Sequence, residues 1–414
     1  MDAVDRIRIE EFRQLKKEIR GSGEHLIVGI DIAKEKHHGF FGTATGKILL
    51  KRLVFENNRE GFEKLLTYVD AVKVKNALNK EVFGLEPTAN YHKPLGEYLI
   101  KSDHTVVLVS GKAVKNNREM LDGRWDKNDT KDPANIADLM SQGKFLYYDH
   151  PVLPLRDLRN LLSFKRRLKK QEHGLKVRIR NHLLAQYFPE LDRYYGKWEA
   201  GGLSIVRWCL DPKVIAAMDY ERFSQMVTSS GRTNQKQHDR LKAIWHEAAE
   251  SIGCDVGEAL EFEATMMVEA LKQVREAIRV TEDKIETVCL DFSEYSYLKS
   301  IPGFGPDISS KVLGAIGNPF RFNTAKQVLK MAGMDLSASR SGDKSETAVP
   351  VISKKGKAEL RYALYQAAFV ASTKNQYFVM YYTNKLRGRE REKGIKTKMR
   401  VKLVPPEAGL LPGL

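Results

Sequence analysis

The sequence contains only three cysteines in 414 residues, and they lie far apart at Cys209, Cys254 and Cys289. No CxxC or Cys/His spacing occurs, which excludes a disulfide framework and a structural zinc site. Long hydrophobic runs are also missing. No stretch approaches the roughly 18 apolar residues that a membrane span requires, and the N-terminal segment MDAVDRIRIEEFRQLKKEIR is charged throughout. We therefore expect a cytoplasmic protein without a membrane partner.

Two nucleotide-binding motifs are absent as well. The first apolar run of the chain is not followed by GxGxxG, and no P-loop occurs anywhere. These absences argue against a dinucleotide cofactor and against a reaction driven by ATP.

The chain has a large excess of positive charge. It contains 69 Lys and Arg against 53 Asp and Glu, for a formal net charge of +16, and 42% of its residues are hydrophobic. That apolar fraction is enough for the cores of two or three domains. The charge attracts polyanions, of which nucleic acid is the commonest that a soluble protein meets.

The N-terminal third has the pattern of an α/β domain. Residues 1–24 form a charged leader that we predict to be a short helix, and residues 25–150 alternate apolar β-rich runs with helical spacing. The predicted strands are His25–Asp31, His37–Gly42, Ile48–Phe55, Val82–Leu85 and Thr105–Ser110, and the predicted helices are Asn58–Val69 and Tyr91–Lys101. The order β-β-β-α-β-α-β favours a ribonuclease H-like sheet over a doubly wound fold.

The rest of the chain is predicted to be helical. Residues 151–296 contain two long helical patterns around a less regular insertion, which suggests a coiled-coil arm, and ten basic residues face two acidic ones between Arg156 and Arg180. Residues 297–384 form a further domain with helices at Ala325–Ala332 and Lys357–Ser372. Residues 385–414 are a basic tail that ends in PPEAGLLPGL, and the family resemblance given below implies that this tail is truncated or frameshifted.

Four acidic residues fall at positions where they can converge. Asp31 ends the first predicted strand and Glu86 follows the fourth, and these strands are neighbours in a ribonuclease H-like sheet. Asp129 and Asp132 lie three residues apart where a helix begins, which places both on one side of it. Such carboxylates bind hard divalent cations, normally Mg²⁺. Each acid alone is equally well explained as a strand-end polar residue, and Asp132 before Pro133 as a helix N-cap.

The C-terminal domain contains two further features of interest. The segment IPGFGP before a helix is typical of a helix-hairpin-helix element, in which Gly303 and Gly305 let backbone amides approach a phosphate, although a tight interhelical turn explains it too. A polar loop, MDLSASRSGDK, contains Ser339 and Ser341. A serine in such a loop is ordinarily a turn residue, and no histidine lies nearby to act as its base.

These residues together resemble a known family. GIDIAKEKHHGFF around Asp31, LEPTANYH around Glu86 and KNDTKDPANIADL around Asp129 and Asp132 are followed, after a helical arm, by LKSIPGFGPDISSKVLGAIG and MDLSASRSG. In this order they resemble the DEDD insertion-sequence transposases of the IS one-ten group, which include Piv-type DNA invertases and bridge-RNA-guided recombinases. The resemblance implies a RuvC-like (ribonuclease H-like) α/β domain, a coiled coil, and a mainly α-helical transposase domain with a helix-hairpin-helix-like element.

The resemblance also implies site residues and a mechanism. Asp31, Glu86, Asp129 and Asp132 match the family's Mg²⁺-binding tetrad. Ser341 matches the nucleophilic serine of its Ser-Gly motif, with Ser339 as the alternative if the loop register differs. A serine ester of DNA conserves the energy of the phosphodiester, so that strands can be rejoined without ATP.

Nucleic-acid partners follow from the charge and from the resemblance. We expect DNA, both element ends and target, and a structured noncoding guide RNA to bind a homo-oligomer, a dimer or a tetramer, that is associated with the prokaryotic nucleoid when active. The predicted backbone-binding residues are those of the basic arm and of the C-terminal domain: Lys165, Arg166, Arg167, Lys169, Lys170, Gly303, Gly305, Lys354 and Lys355. For the arm, a solvated helix face is the alternative explanation, and the ratio of ten basic to two acidic residues favours nucleic-acid binding over it.

Two other hypotheses remain open. A RuvC-like junction nuclease needs only the acidic tetrad and a metal-activated water, so that Ser341 would be incidental. A degenerate copy of the transposase would bind the RNA or the DNA ends of the element without turnover.

Overall fold

The computed structural model describes residues 3–122, 131–194, 200–228, 235–337, 351–392 and 394–401. The chain divides into two compact units. The first comprises the residues up to Val152 together with Asn318–Asn323, and the second comprises Leu153–Gly317 and the residues from Thr324 onward.

A six-stranded sheet organises the first unit. Its strands are β1 (His25–Asp31), β2 (Lys36–Thr43), β3 (Ile48–Glu56), β4 (Lys80–Leu85), β5 (Val106–Leu108) and β6 (Leu146–Tyr147), in the order β3-β2-β1-β4-β5-β6. The helices of this unit are α1 (Ala3–Glu18), α2 (Arg59–Asn76), α3 (His92–Lys101), α4 (Gly111–Asp122) and α5 (Lys131–Ser141), with a 3₁₀ turn at Pro319–Arg321. The predicted succession of three strands, helix, strand, helix and strand is confirmed.

The pairing within the sheet sets the position of the strand ends. β1 runs antiparallel to β2 and parallel to β4, β4 runs parallel to β5, and β5 runs antiparallel to β6. The ends of β1 and β4 therefore meet at one edge, because Ile30 pairs with Leu85 one residue before each strand's acidic residue.

The central strand β1 is buried on both faces, which explains its continuous apolar run. Leu26, Val28 and Ile30 pack with residues of α2 and α3 on one face. Ile27 packs with Ile136 and other residues of α4 and α5 on the opposite face. Successive side chains of a strand alternate between faces, so Ile27, Gly29 and Asp31 share the face that α5 covers.

The second unit is mainly helical. Its elements are α6 (Leu153–Arg178), a π-helical segment (Ile179–Leu184), α7 (Ala185–Tyr187), α8 (Leu191–Tyr194), α9 (Ala200–Trp208), α10 (Pro212–Ala216), α11 (Tyr220–Val227), α12 (Gln235–Ala249), α13 (Glu258–Leu290), α14 (Ser293–Ser300), α15 (Pro306–Ile316), α16 (Ala325–Ala332), the short strands β7 (Leu336–Ser337) and β8 (Val351–Ile352), α17 (Ala358–Lys374), α18 (Gln376–Leu386) and α19 (Ile395–Val401). The two long helices α6 and α13 pack against each other. Among the described residues, no helix is long and apolar enough to cross a membrane.

A cluster of charges at the start of β4 contributes to the stability of the first unit. Glu81 accepts hydrogen bonds from Lys73 and from His104, whose Nδ1 lies 2.9 Å from Glu81 Oε1, and its side chain is only 15% exposed. The bond from His104, with Lys73 beside it, outweighs the effect of burial and lowers the pKa of Glu81 to about 2.

We expect Glu81→Gln to lower the free energy of unfolding by roughly 3 kcal/mol at neutral pH, from the size of this pKa shift. Because the folded-state pKa is depressed, the contribution is present above the ordinary carboxyl pKa of about 4.5 and is lost as pH falls toward 2. The measurement is urea unfolding at neutral pH and at about pH 3. The difference in free energy of unfolding between wild type and variant should be smaller at pH 3. Glu56→Gln, in an exposed ion pair with Lys36, is the control that should change little. An equal deficit for Glu81→Gln at both pH values would contradict this explanation.

Candidate active site

Two carboxylates lie at the ends of neighbouring parallel strands. Asp31 is the last residue of β1, and Glu86 follows β4, where its amide still donates to Ile30 O at 3.4 Å. Both side chains are half-buried. Gly84, two residues before Glu86, faces Met140 of α5. Strand alternation therefore places Asp31 and Glu86 on the face of the sheet that α5 covers.

Gly29 lets the helix that carries the third carboxylate pack directly against β1. A methyl group at Gly29 would lie 2.2 Å from Pro133 O and 2.8 Å from Ala137 N, so β1 and the first turns of α5 are in backbone contact. Asp132 precedes Pro133 in that helix and is 1% exposed. The absence of a side chain at Gly29 is what lets the first turns of α5 pack this closely on β1.

Helix α4 contacts both parts of this arrangement. A methyl group at Gly111, the first residue of α4, would lie 2.6 Å from Glu86 Oε1, so the Glu86 carboxylate lies beside the N-terminus of the helix. Further along α4, Arg118 Nη2 lies 2.5 Å from Asp132 Oδ1, with side-chain exposures of 17% and 2%. Arg118 therefore provides the counter-charge that a buried carboxylate requires.

A buried amide network holds α4 and α5 together. Asn117 Nδ2 donates to Asn135 Oδ1 and, at 2.8 Å, to Asp138 Oδ2, while Asn135 Nδ2 donates to Val114 O at 2.7 Å. Satisfied buried networks of this kind restrict the packing of the helices they join. The position of α5, and of Asp132 within it, is therefore well defined relative to α4.

The fourth predicted ligand, Asp129, lies outside the described residues. Within the described part of the chain, no group of three His, Cys, Asp or Glu side chains lies close enough together to hold a metal ion. The three described acids are hard oxygen donors of the kind that Mg²⁺ prefers. Asp31 and Glu86 share one edge and one face of the sheet, and the binding of one metal ion by all four acids stays a prediction.

The predicted nucleophile, Ser341, and its alternative, Ser339, also lie outside the described residues. The described strand that precedes them, β7, pairs with the described strand that follows them, β8, with Leu336 opposite Ile352. The buried thiols of Cys209 and Cys289 are poor candidates for a nucleophile, since burial raises the pKa of each to about 12.

The predicted hairpin joins α14 to α15. Gly303 has a φ of +99°, and a methyl group there would lie 2.6 Å from Ala367 O of α17, so this glycine is required both by its backbone conformation and by close packing. Gly305 is the N-cap of α15, and the space around its Cα is open. Of the two, Gly305 is the better placed for a ligand to approach the helix N-terminus.

The predicted lysines after β8 are exposed. Lys354 has a φ of +55°, and Lys355 N donates to Ser353 Oγ at 3.3 Å. Ser353 Oγ in turn donates to Asp335. The loop that carries Lys354 and Lys355 is thus held by a side-chain bond to the residue preceding β7.

The basic residues of α6 differ in their surroundings. Lys165 is 12% exposed and pairs with Glu282 at 2.8 Å and with Asp307 at 2.7 Å. Burial opposes its charge, but the two carboxylates outweigh burial and raise the pKa of Lys165. Arg166 pairs with Glu359 at 3.0 Å and Lys169 with Glu172 at 3.4 Å, while Arg167 and Lys170 are exposed. Lys165 therefore has a structural role on α6, whereas its neighbours face solvent.

Sequence reasoning missed Arg118 and Gly29. Nothing in the sequence around Arg118 pairs it with Asp132, since the two belong to different helices. The signal for Gly29 was present: a glycine within the apolar run HLIVGID indicates the close approach of another backbone.

Comparison with known proteins gives a consistent result. A family model of DEDD transposases of the IS110 type, described as "Transposase", matches residues 28–189, which include Asp31, Glu86, Asp129 and Asp132. A second, described as "Transposase IS116/IS110/IS902 family", matches residues 295–383, which include Ser341. Both models describe the IS one-ten group that the sequence motifs resemble.

Two curated proteins are similar along most of their length. The 44.8 kDa protein of the insertion element IS116 from Streptomyces clavuligerus is 22% identical over 325 residues, which is 75% of this chain and 76% of that protein. The 43.6 kDa protein of the insertion element IS110 from Streptomyces coelicolor is 24% identical over 337 residues, 77% of each chain. With both halves of the chain matched in order, and with both relatives matched over about three quarters of the chain, the chain belongs to the IS110 family of transposases.

Proposed function

We propose that this transposase cleaves and rejoins DNA through a covalent serine–DNA intermediate, with Mg²⁺ bound by four carboxylates and with target choice guided by a structured RNA. The observation that carries the proposal is the placement of Asp31 and Glu86 at the adjacent ends of β1 and β4, on the face of the sheet that α5, the helix of Asp132, covers. Asp31 and Glu86 carry like charges at neighbouring strand ends, and a divalent cation relieves the repulsion between such carboxylates.

The four acids are assigned to metal binding. Asp31 and Glu86 come from the strand ends and Asp132 from the α5 N-terminus, with Asp129 as the fourth donor. When bound, Mg²⁺ supplies positive charge that stabilises the charge developing on the scissile phosphate. Arg118 is the counter-ion of Asp132 and holds that carboxylate at the edge of the sheet.

Ser341 is assigned as the nucleophile. Its Oγ attacks the phosphorus and loses its proton, a serine–phosphate ester forms, and one DNA strand end leaves as a hydroxyl. The hydroxyl of an exchanged strand then attacks the ester and releases the serine. The number of phosphodiester bonds is unchanged, so no ATP is needed.

The proposal also covers the type of each domain, the binding partners and the location in the cell. The strand order β3-β2-β1-β4-β5 supports a RuvC-like (ribonuclease H-like) domain, and the packing of α6 on α13 supports a coiled-coil arm. We assign DNA ends, target DNA and a guide RNA as partners of a dimer or a tetramer at the nucleoid. Base pairing with the RNA then supplies the sequence specificity.

The test mixes purified protein with element-end DNA, target DNA, RNA transcribed from the flanking noncoding region and Mg²⁺, followed by a denaturing gel. We expect a DNA-linked protein band that forms with Mg²⁺ and is absent with EDTA. Cleaved DNA without a linked band would select the junction nuclease. Binding without cleavage or a linked band would select the degenerate copy. A linked band that does not depend on the RNA would remove the guide from the proposal and leave the chemistry in place.

A further inference from the structure

The second unit contains a cleft between α6, α15 and α17. Its volume is about 360 Å³, at the lower end of the range for small-ligand sites. Arg159 and Arg166 line it from α6, Lys311 from α15 and Lys357 from the residue before α17, and Glu359 is the single carboxylate in the lining. The lining is therefore strongly cationic.

Two of the four cations are oriented by the end of α15. Arg159 Nε donates to Gly314 O at 2.7 Å, and Lys357 Nζ donates to Ala315 O at 2.9 Å. Cations at a helix C-terminus are favoured by the helix dipole, so these two side chains have a structural reason to be there. They nonetheless bring positive charge to the wall of the cleft.

The other two cations are in exposed ion pairs. Arg166 pairs with Glu359 at 3.0 Å, with side-chain exposures of 67% and 52%, and Lys311 pairs with Asp307 at 2.6 Å, with exposures of 27% and 46%. Exposed pairs contribute little stability, so their cations can exchange a carboxylate for another anion at small cost.

The carboxylate in the cleft occupies the place that an anion would take. Glu359 lies in the first turn of α17, whose N-cap, Lys357, makes no side-chain capping bond. The positive end of a helix dipole, together with four cationic side chains, attracts a phosphate group. Next to this cleft, a second pocket is lined by Lys169 of α6 and by Tyr362, a residue that is 58% exposed. Cations next to an exposed aromatic ring are typical of a nucleic-acid surface.

We propose that this cleft binds the phosphodiester backbone of a nucleic acid and that Glu359 competes with the phosphate for Arg166. The inference rests on the proposed function, because it locates on this chain a surface for the polyanion that the transposase handles. It assigns Arg166 and Lys311 to phosphate contact, and it makes Glu359 a carboxylate that weakens binding.

The first test removes the competitor. Glu359→Gln should tighten binding of a short DNA duplex or of an RNA hairpin about fivefold at about 0.1 M salt, because one carboxylate is removed next to a phosphate. The matched control is Glu276→Gln, which breaks a similar exposed pair with Arg279 at 2.7 Å on α13. Both variants change the net charge equally, so equal affinities for the two would overturn the proposal.

The second test removes the cations. The affinity of the protein for a duplex falls as salt rises, and the slope of log affinity against log salt concentration changes by close to one unit for each phosphate contact. The double variant Arg166→Gln, Lys311→Gln removes about two such contacts, so its slope should be shallower by about two units whatever the duplex sequence. The control is Arg222→Gln, Lys284→Gln, two exposed cations of the same unit outside the cleft. An unchanged slope for the first pair, or an equal fall for both pairs, would overturn the assignment.

The two probes distinguish the source of the phosphate. Effects on the duplex alone assign the cleft to DNA, effects on the hairpin alone assign it to RNA, and effects on both assign it to the shared backbone.

The outcomes also separate the two proposals. If the wild-type protein binds neither probe, both the cleft proposal and the proposed function are overturned. If the wild-type protein binds and the two variants Glu359→Gln and Glu276→Gln have equal affinities, only the cleft proposal is overturned. If the cleft variants change affinity as expected but no DNA-linked protein band forms, only the proposed serine nucleophile is overturned.

Discussion

Replacing Ser341 with alanine is expected to abolish the DNA-linked protein band and strand rejoining while DNA binding is unchanged. Alanine lacks the Oγ that forms the phosphate ester, and loss of a nucleophile lowers rates by at least about three orders of magnitude in well-studied enzymes. The change is small, and the described strands that precede and follow this part of the sequence, β7 and β8, are paired with each other. The measurement is the denaturing gel, with duplex binding recorded in parallel.

Ser339→Ala is the matched control, since it removes the same group two residues away in the same loop. If Ser339→Ala loses the covalent band and Ser341→Ala keeps it, the nucleophile is Ser339. If Ser341→Ala still cleaves DNA and Glu86→Gln does not, the serine is incidental and a hydrolytic junction nuclease is the better description. Glu86→Gln is used because it keeps the shape of a half-buried side chain while removing its charge.

The substitution Gly29→Ala is expected to destabilise the first unit and to displace the acidic edge. The added methyl group would lie 2.2 Å from Pro133 O and 2.8 Å from Ala137 N, and backbone cannot move aside as a flexible side chain can. Overpacking of this kind costs about 3 kcal/mol. Because α5 must shift away from β1, Asp132 shifts with it, and a displacement of about 1 Å at a reacting centre can lower activity about 100-fold.

Hydrogen exchange of the β1 and α5 amides measures the stability of this unit by itself, and the gel assay measures activity. The control is Gly39→Ala in the adjacent strand β2, where the nearest atom to the added methyl group would be Phe41 Cε2 at 3.5 Å, an ordinary contact. Alanine also loses less backbone entropy than glycine in a strand, so stability at Gly39 should be unchanged or slightly higher. Equal hydrogen-exchange protection of the β1 and α5 amides in the two variants would contradict the prediction that the close contact between β1 and α5 controls the stability of the first unit.

The candidate site was predictable from the sequence only in part. The order of strands in the first unit and the acidic residue at the end of β1 follow from local patterns, an apolar run that ends in a carboxylate. Asp129 followed from its spacing to Asp132, whereas only the family resemblance gave Ser341 the role of nucleophile; both lie outside the described residues and remain predictions. The counter-ion Arg118 carried no local signal, because an ion pair between two helices depends on how those helices pack.

The basic arm shows the same limit. Sequence composition identified a dense run of Lys and Arg on α6, and it treated Lys165 and Arg166 alike. In the folded chain Lys165 is nearly buried between two carboxylates from α13 and α15, whereas Arg166 lines an open cleft with residues of α15 and α17. Neighbours in sequence differ by about 100° around a helix, so they meet different surroundings.

By itself, the sequence determined the α/β first unit, the helical second unit and the family, because hydrophobic periodicity and short motifs are properties of neighbouring residues. Only the tertiary structure decided that Gly29 lets α5 pack closely on β1, that Arg118 neutralises Asp132, and that four cations from α6, α15 and the residue before α17 share a cleft with Glu359. Those facts depend on contacts between segments far apart in the chain, which local patterns do not encode.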